Sequence, residues 1–268
     1  MPHLHCYHVN HVLVLIFSLL MSTSQSLSLT RPYHAKEYVR GNNRLFLDTA
    51  VIDEWTELLS LGIFHGITTN PVLLERAGHE CTVSSIHSLA TKALALPGCN
   101  EFMCQTWGVE SDEMYTTGLE LSEPDRDRIV VKVPVTYEGT KAASKLIEAG
   151  VRVCLTACYS SNQAMVAAGL GADYIAPYLG RMMDSGKDGV EECKKMQAIV
   201  NGMESKTRVL VASIRSANTM ADLTSSGMNT FTFNPEIARE LFDEDLTSLA
   251  AVDFNEAALR CGTDDEIL

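Results

Sequence analysis

Between Arg44 and Phe233 the chain alternates eight times between a short apolar run and a stretch of helical spacing, and few folds accept that order. The runs are 44–50, 64–69, 101–106, 128–136, 151–156, 173–178, 207–213 and 229–233. After the first, Ile52, Trp55, Leu58 and Leu59 recur at helical spacing and Gly62 closes the turn. After the fourth, Ala142, Ala143, Leu146 and Ile147 share one helical face, which ends at Gly150. Further helices are predicted over 83–96, stopped by Pro97-Gly98, and over 111–121, 162–169, 189–203 and 217–225. Pro235 opens another at its favoured first position, and a last helical stretch covers about 246–259. Eight strands each followed by a helix predict an α/β fold, a (β/α)8 TIM barrel with an additional C-terminal helix. A doubly wound open sheet is the alternative, but no glycine-rich dinucleotide loop follows the first run.

The domain boundaries follow from the ends. Residues 1–43 read as a leader, and 44–262 as a single barrel domain with its C-terminal helix. Val12 to Met21 is too short for a membrane span but suits a signal-peptide core, and Ser22-Thr23-Ser24 follows it. The segment before it holds no Lys or Arg, a departure from the usual signal pattern. Residues 22–44 are serine-rich with scattered arginine and one acid, as in organelle transit peptides. A signal followed by a transit-type segment resembles the two-part leader of algae with complex plastids, so an organelle such as the plastid is the expected destination. Secretion is the rival. No stable membrane association is expected of the mature body.

Charge and cysteine usage narrow the partners. The chain carries a net charge of −13, yet residues 1–44 hold four basic residues and one acid, which leaves −16 for the rest. So acidic a body argues against a nucleic-acid partner, which needs a basic stripe. A phosphorylated small molecule needs only two or three local donors. Outside the leader seven cysteines remain, Cys81, Cys99, Cys104, Cys154, Cys158, Cys193 and Cys261. An odd number, several within strands, reads as buried free thiols in a reducing compartment. Cys154-x-x-x-Cys158 has no second pair or nearby histidine, and His65, His79 and His87 match no metal spacing, so no metal is expected.

The fourth run, Arg128-Ile129-Val130-Val131-Lys132-Val133-Pro134-Val135-Thr136, sets a lysine inside a strand buried on both faces. Burial disfavours the ammonium and is expected to lower its pKa, which frees an amine for Schiff-base chemistry with a carbonyl. An edge-strand lysine that blocks aggregation is the alternative. If Lys132 points into the barrel, so do Val130 and Pro134, while Val131 and Val133 face the helices. Barrel enzymes carry reactive groups at the C-terminal ends of their strands. At those ends this chain offers Asp48, Asn70, Gln105, Lys132, Thr156, Tyr178 and the pair Ser213 and Arg215.

Phe46-Leu47-Asp48-Thr49-Ala50, Gly66-Ile67-Thr68-Thr69-Asn70-Pro71 and Val130-Val131-Lys132-Val133-Pro134 resemble the three signatures of the transaldolase family. The closest likeness is to its small-subunit branch, which includes fructose-6-phosphate aldolase. Thr156, Ala176-Pro177-Tyr178, Arg181 and Val211-Ala212-Ser213 match further along, so the likeness spans about 44–245 in collinear order. It implies that Lys132 attacks the C2 carbonyl of a ketose phosphate and that its iminium accepts the electrons of C3–C4 cleavage. It implies that Asp48 shuttles protons and that Asn70 and Thr68 hold substrate hydroxyls. Gln105, Thr156 and Tyr178 would hold the water that relays protons at the carbinolamine. Arg181, Arg215 and Ser213 would grip the phosphate. No organic cofactor is implied, and homo-oligomers are common in the branch.

Each role has an alternative. Asp48 also reads as an N-cap, Asn70-Pro71 as a turn, and Gln105 and Thr156 as polar residues that only satisfy neighbours. Arg181 and Arg215 also read as surface ion-pair partners. Transaldolases themselves resemble the chain less at Tyr178, where they carry Phe, and at Gln105, where they carry an acid. Gly180-Arg181 and Arg215 look more like the transaldolase phosphate site. The expected activity is therefore cleavage of fructose 6-phosphate to dihydroxyacetone and glyceraldehyde 3-phosphate. Transfer of the dihydroxyacetone unit within the pentose phosphate pathway is the alternative, and a non-catalytic phosphosugar-binding barrel a further one.

Overall fold

A computed structural model describes residues 42–262; the expected leader lies outside them. Eight parallel strands, β1 (Arg44–Asp48), β2 (Phe64–Thr68), β3 (Glu101–Gln105), β4 (Ile129–Pro134), β5 (Arg152–Cys158), β6 (Tyr174–Pro177), β7 (Arg208–Val209) and β8 (Thr230–Phe233), form one sheet in the order β7-β6-β5-β4-β3-β2-β1-β8. The sheet closes on itself where Val211 N–H donates to Thr230 O at 3.0 Å and Thr232 N–H to Val211 O at 2.9 Å. The result is the (β/α)8 barrel that the sequence predicts. The eight helical segments expected from the sequence all form: α1 (Ile52–Leu59), α3 (Val83–Leu94), α4 (Ser111–Ser122), α5 (Tyr137–Glu148), α6 (Gln163–Leu170), α8 (Gly189–Gly202), α9 (Ala217–Ser225) and α10 (Pro235–Glu240), with the extra helix α11 (Asp245–Cys261) after them.

Two short helices go beyond the sequence reading, and both start at the rim. In α2 (Pro71–Arg76), Asn70 Oδ1 accepts from Val72 N at 3.0 Å and Leu73 N at 3.1 Å, and Pro71 occupies the first turn, where it loses no hydrogen bond. The Asn70-Pro71 pair is thus a helix cap, not only a turn. α7 (Leu179–Asp184) follows β6 directly. The seventh run is regular for only two residues. Beyond them its amides alternate between neighbours, Leu210 N to Ile175 O and Val211 N to Thr230 O.

Side chains divide by strand parity. Phe46, Met103, Val130, Cys154, Tyr174, Ala176 and Leu210 fill the barrel, whereas Val131, Val133, Leu155 and Ile175 join the larger core between sheet and helices. Val130 inside and Val131 and Val133 outside is the alternation expected around Lys132. At the N-terminal mouth Glu101 gathers Arg44 (2.9 Å), Arg152 (3.0 Å) and the Tyr174 hydroxyl (2.6 Å), with His65 Nε2 at 3.3 Å. Burial by itself would raise the Glu101 carboxyl. The His65 ring, the Arg152 guanidinium and the Tyr174 hydroxyl outweigh it and hold it at about 2. His65 Nε2 is poorly aligned for a hydrogen bond, so the guanidinium and phenol contacts are the firmer cause.

All seven cysteines among the described residues are free thiols; Cys81 and Cys261 are exposed, the other five buried. Among these residues no helix is long and apolar enough to cross a membrane. α11 has no buried residue and exposes Leu246, Leu249, Val252 and Phe254.

Candidate active site

The C-terminal ends of the strands surround a cavity of about 490 Å³. Of the ten residues singled out from the sequence, eight line it: Asp48, Asn70, Gln105, Lys132, Tyr178, Arg181, Ser213 and Arg215. Thr68 and Thr156 stand behind that wall, 0% and 1% exposed. Thr68 Oγ1 donates to Asp48 Oδ1 at 2.7 Å, and Thr156 Oγ1 meets the Tyr178 hydroxyl at 3.0 Å. Each touches a neighbour that does reach the cavity.

Lys132 is 4% exposed, and its Nζ donates to the main-chain oxygen of Thr69 at 3.1 Å. The edge-strand reading fails, because β4 lies between β3 and β5 and pairs with both. Register sets Gln105 beside Lys132, and Pro134 beside Thr156. The expectation that burial leaves a free amine needs correction. Desolvation does lower the ammonium, but Tyr178 and Asp48 outweigh it and hold Lys132 above the ordinary lysine range. The sequence identifies the apolar strand; it does not show how many opposing groups the rim brings around one nitrogen.

Asp48 is not a helix cap. The N-cap of α1 is Val51, which makes no side-chain bond, while the Asp48 carboxylate faces the cavity and takes the Thr68 hydroxyl. Asn70 serves two ends at once. Its Oδ1 is committed to the cap, so its amide NH2 is what it can offer a ligand.

The cationic wall lies across the mouth. The Arg181 guanidinium carbon stands 5.1 Å from the Tyr178 ring centroid, and its Nη1 reaches the Tyr159 hydroxyl at 3.5 Å. Arg215 Nη2 pairs with Asp184 at 2.7 Å, both side chains well exposed. So the ion-pair reading of Arg215 holds alongside its place on the cavity wall. Ser213 adopts a left-handed backbone, φ 58°, as does Ala157, φ 56°, at a cost of about 1–3 kcal/mol each. Gly180 N–H donates to Ser213 O at 2.9 Å and so holds that conformation. A Cβ on Gly180 would lie 2.4 Å from Ser213 O and 2.5 Å from Arg215 Nε.

Sequence reasoning missed four polar wall or near-wall residues. Asn234 repeats the Asn70 arrangement, with Oδ1 capping α10 through Ile237 N at 3.0 Å before Pro235, and the same Asn-Pro signal would have found it. Thr232, Arg76 and Tyr159 carry no such local signal. Among the described residues no group of three or more His, Cys, Asp or Glu side chains could hold a metal ion.

An amine, a carboxylate, a phenol and two guanidinium groups around one cavity suit covalent carbonyl chemistry on an anionic substrate. Comparison with known proteins gives the family. The family model described as Transaldolase/Fructose-6-phosphate aldolase matches residues 45–266. A protein named "Probable transaldolase" from Jannaschia sp. (strain CCS1) is 35% identical over 204 residues, 76% of this chain and 91% of that one. One of the same name from Leptospira biflexa serovar Patoc is 33% identical over 214 residues, 79% and 96% of the two chains. Among solved structures, one titled "Native KDPGal structure" superposes with a TM-score of 0.52 at 10% identity, over 75% of this chain and 92% of that one. An ARG289LYS mutant of flavocytochrome B2 gives 0.51 at 12% identity; the match covers 73% of this chain but only 57% of that larger one. At such identities these two speak for the barrel alone. With the signatures, the rim geometry and the matched span together, the chain belongs to the transaldolase/fructose-6-phosphate aldolase family.

Proposed function

We propose that the protein is a Schiff-base enzyme that cleaves fructose 6-phosphate to dihydroxyacetone and glyceraldehyde 3-phosphate, or joins them. The observation that carries this is Lys132, buried at the wall of the cavity that Asp48, Arg181 and Arg215 also line. Lys132 must first lose a proton. Its amine then adds to the C2 carbonyl, and loss of water gives an iminium. Asp48 takes the C4 hydroxyl proton as the C3–C4 bond breaks, and the bonding pair moves into the iminium as an enamine. The Tyr178–Thr156 pair and Gln105 orient the water that returns a proton to the enamine carbon and hydrolyses the adduct. Arg181, Arg215 and Ser213 bind the phosphate, and Asn70 the sugar hydroxyls.

Transfer of the three-carbon unit to erythrose 4-phosphate is the second reading, supported by the name of the relatives and by the Arg215 side of the mouth. Borohydride with fructose 6-phosphate is expected to fix an adduct on Lys132, and full turnover in Lys132→Ala would remove both readings. Product release that depends strictly on erythrose 4-phosphate would leave only transfer. In our reading the chain also assembles with copies of itself, supported by the bare apolar face of α11; light scattering tests it. The leader directs it to an organelle, which N-terminal sequencing and a fluorescent leader fusion test.

A further inference from the structure

The Thr68 hydroxyl sits between two partners. It lies 2.7 Å from Asp48 Oδ1 and 2.5 Å from Thr232 Oγ1. Thr68 is 0% and Thr232 2% exposed, and Thr232, from β8, forms part of the cavity wall beside Asp48. A hydroxyl has one proton, and a carboxylate can only accept. While Asp48 is a carboxylate, the Thr68 proton is therefore directed at Asp48, and the short contact on its other side closes only if Thr232 is the donor. The chain has a single sense, Thr232 to Thr68 to Asp48.

We propose that Thr232 is a positioning residue for Asp48 in carbon–carbon bond cleavage. By donating to Thr68 it fills the lone pair on that side and leaves the Thr68 proton only one direction. Oδ1 of Asp48 is then held, and the other carboxylate oxygen is left for the substrate hydroxyl. Without Thr232 the Thr68 hydroxyl is free to rotate, and the carboxylate loses its fixed orientation. Because Thr232 comes from β8, which pairs directly with β1, it ties the aspartate to the neighbouring strand. The inference rests on the Schiff-base reading above. It adds a residue that acts after the adduct has formed.

The experiment compares Thr232→Val, which keeps the side chain's shape and removes the hydroxyl, with Thr232→Ser, which keeps the hydroxyl and removes the methyl. With fructose 6-phosphate the valine variant should lose about tenfold in kcat, the size of one net hydrogen bond, with KM within about twofold of wild type. Borohydride trapping on Lys132 should proceed at the wild-type rate, because the lysine step feels the charge of Asp48, which Thr232→Val leaves in place. The serine variant should recover kcat to within about twofold. Wild-type kcat in the valine variant overturns the inference. So does a serine variant as slow as the valine one, or trapping that falls in parallel with kcat. Should the valine variant not fold, Thr232→Ala against Thr232→Ser reads the same hydroxyl. No adduct in the wild-type enzyme would overturn the Schiff-base reading and this inference with it, whereas adduct formation with unchanged valine kinetics overturns this inference alone.

Discussion

Lys132 Nζ donates to the main-chain oxygen of Thr69, 3.1 Å away and one residue past the end of β2. A carbonyl accepts from either form but more strongly from an ammonium, so this bond fixes where the nitrogen is and only leans toward the charged form. The charge is decided by the side chains around it.

Desolvation lowers the Lys132 ammonium, but Tyr178 and Asp48 raise it by more. Its reactive amine should therefore grow as pH rises toward a value above the usual lysine range. The stability this contact adds is fully present below the unfolded lysine value and is lost as pH climbs through the raised one. Asp48→Asn removes one of the raising groups. At about pH 9, below the unperturbed lysine value, reductive methylation of Lys132 should be several-fold faster in this variant. Equal or slower labelling would refute the account.

Arg215 is held by Asp184 at 2.7 Å, and a phosphate at the mouth must compete with that carboxylate. The pair is exposed, so its own strength is small. Asp184→Asn should lower KM for fructose 6-phosphate by about two- to fivefold, the range of such exposed pairs. Unphosphorylated dihydroxyacetone should bind unchanged. A rise in KM would mean that Asp184 orients Arg215 for the phosphate instead of competing with it.

Gly180 gives Ser213 and Arg215 their positions by leaving room for them. A methyl there would sit 2.4 Å from Ser213 O and 2.5 Å from Arg215 Nε. Gly180→Ala should cost about 1–3 kcal/mol of stability, as overpacking does. KM for the phosphorylated substrate should rise, while borohydride trapping with saturating dihydroxyacetone stays near wild type. Wild-type KM would show that the arginine adapts.

Glu101 anchors the opposite mouth, with its carboxyl drawn down from 4.5 to about 2 against the effect of burial. A depressed acid stabilises above its unfolded value, and that contribution fades as pH falls from about 4.5 to about 2. It is on the order of 3 kcal/mol. Glu101→Gln should lose several kcal/mol in urea unfolding at pH 7, since it leaves Arg44 without its carboxylate and Arg152 with Asp173 alone. The gap to wild type should narrow through that acid window; a constant gap would assign the loss to packing.

The parts legible in the sequence are those with local causes. Strand parity around Lys132 follows from a backbone repeat of two, so Val130 inside and Val131 outside could be read before any fold was known. Strand ends are marked by the residues that stop them, which is why Asp48, Asn70, Gln105 and Tyr178 could be named as rim residues. Asn234 was within reach of the same rule, since its Asn-Pro pair repeats that of Asn70.

What the fold alone decided involves residues far apart in the chain. Thr68 meets Thr232 across 164 positions because β8 closes onto β1. Arg76 reaches the cavity only through α2, a helix too short to announce itself by periodicity. The protonation of Lys132 is of the same kind. An apolar strand predicts a loss of proton affinity, yet the outcome is set by a sum over charges that converge from several strands, and a Coulomb sum depends on distances that a linear sequence does not contain.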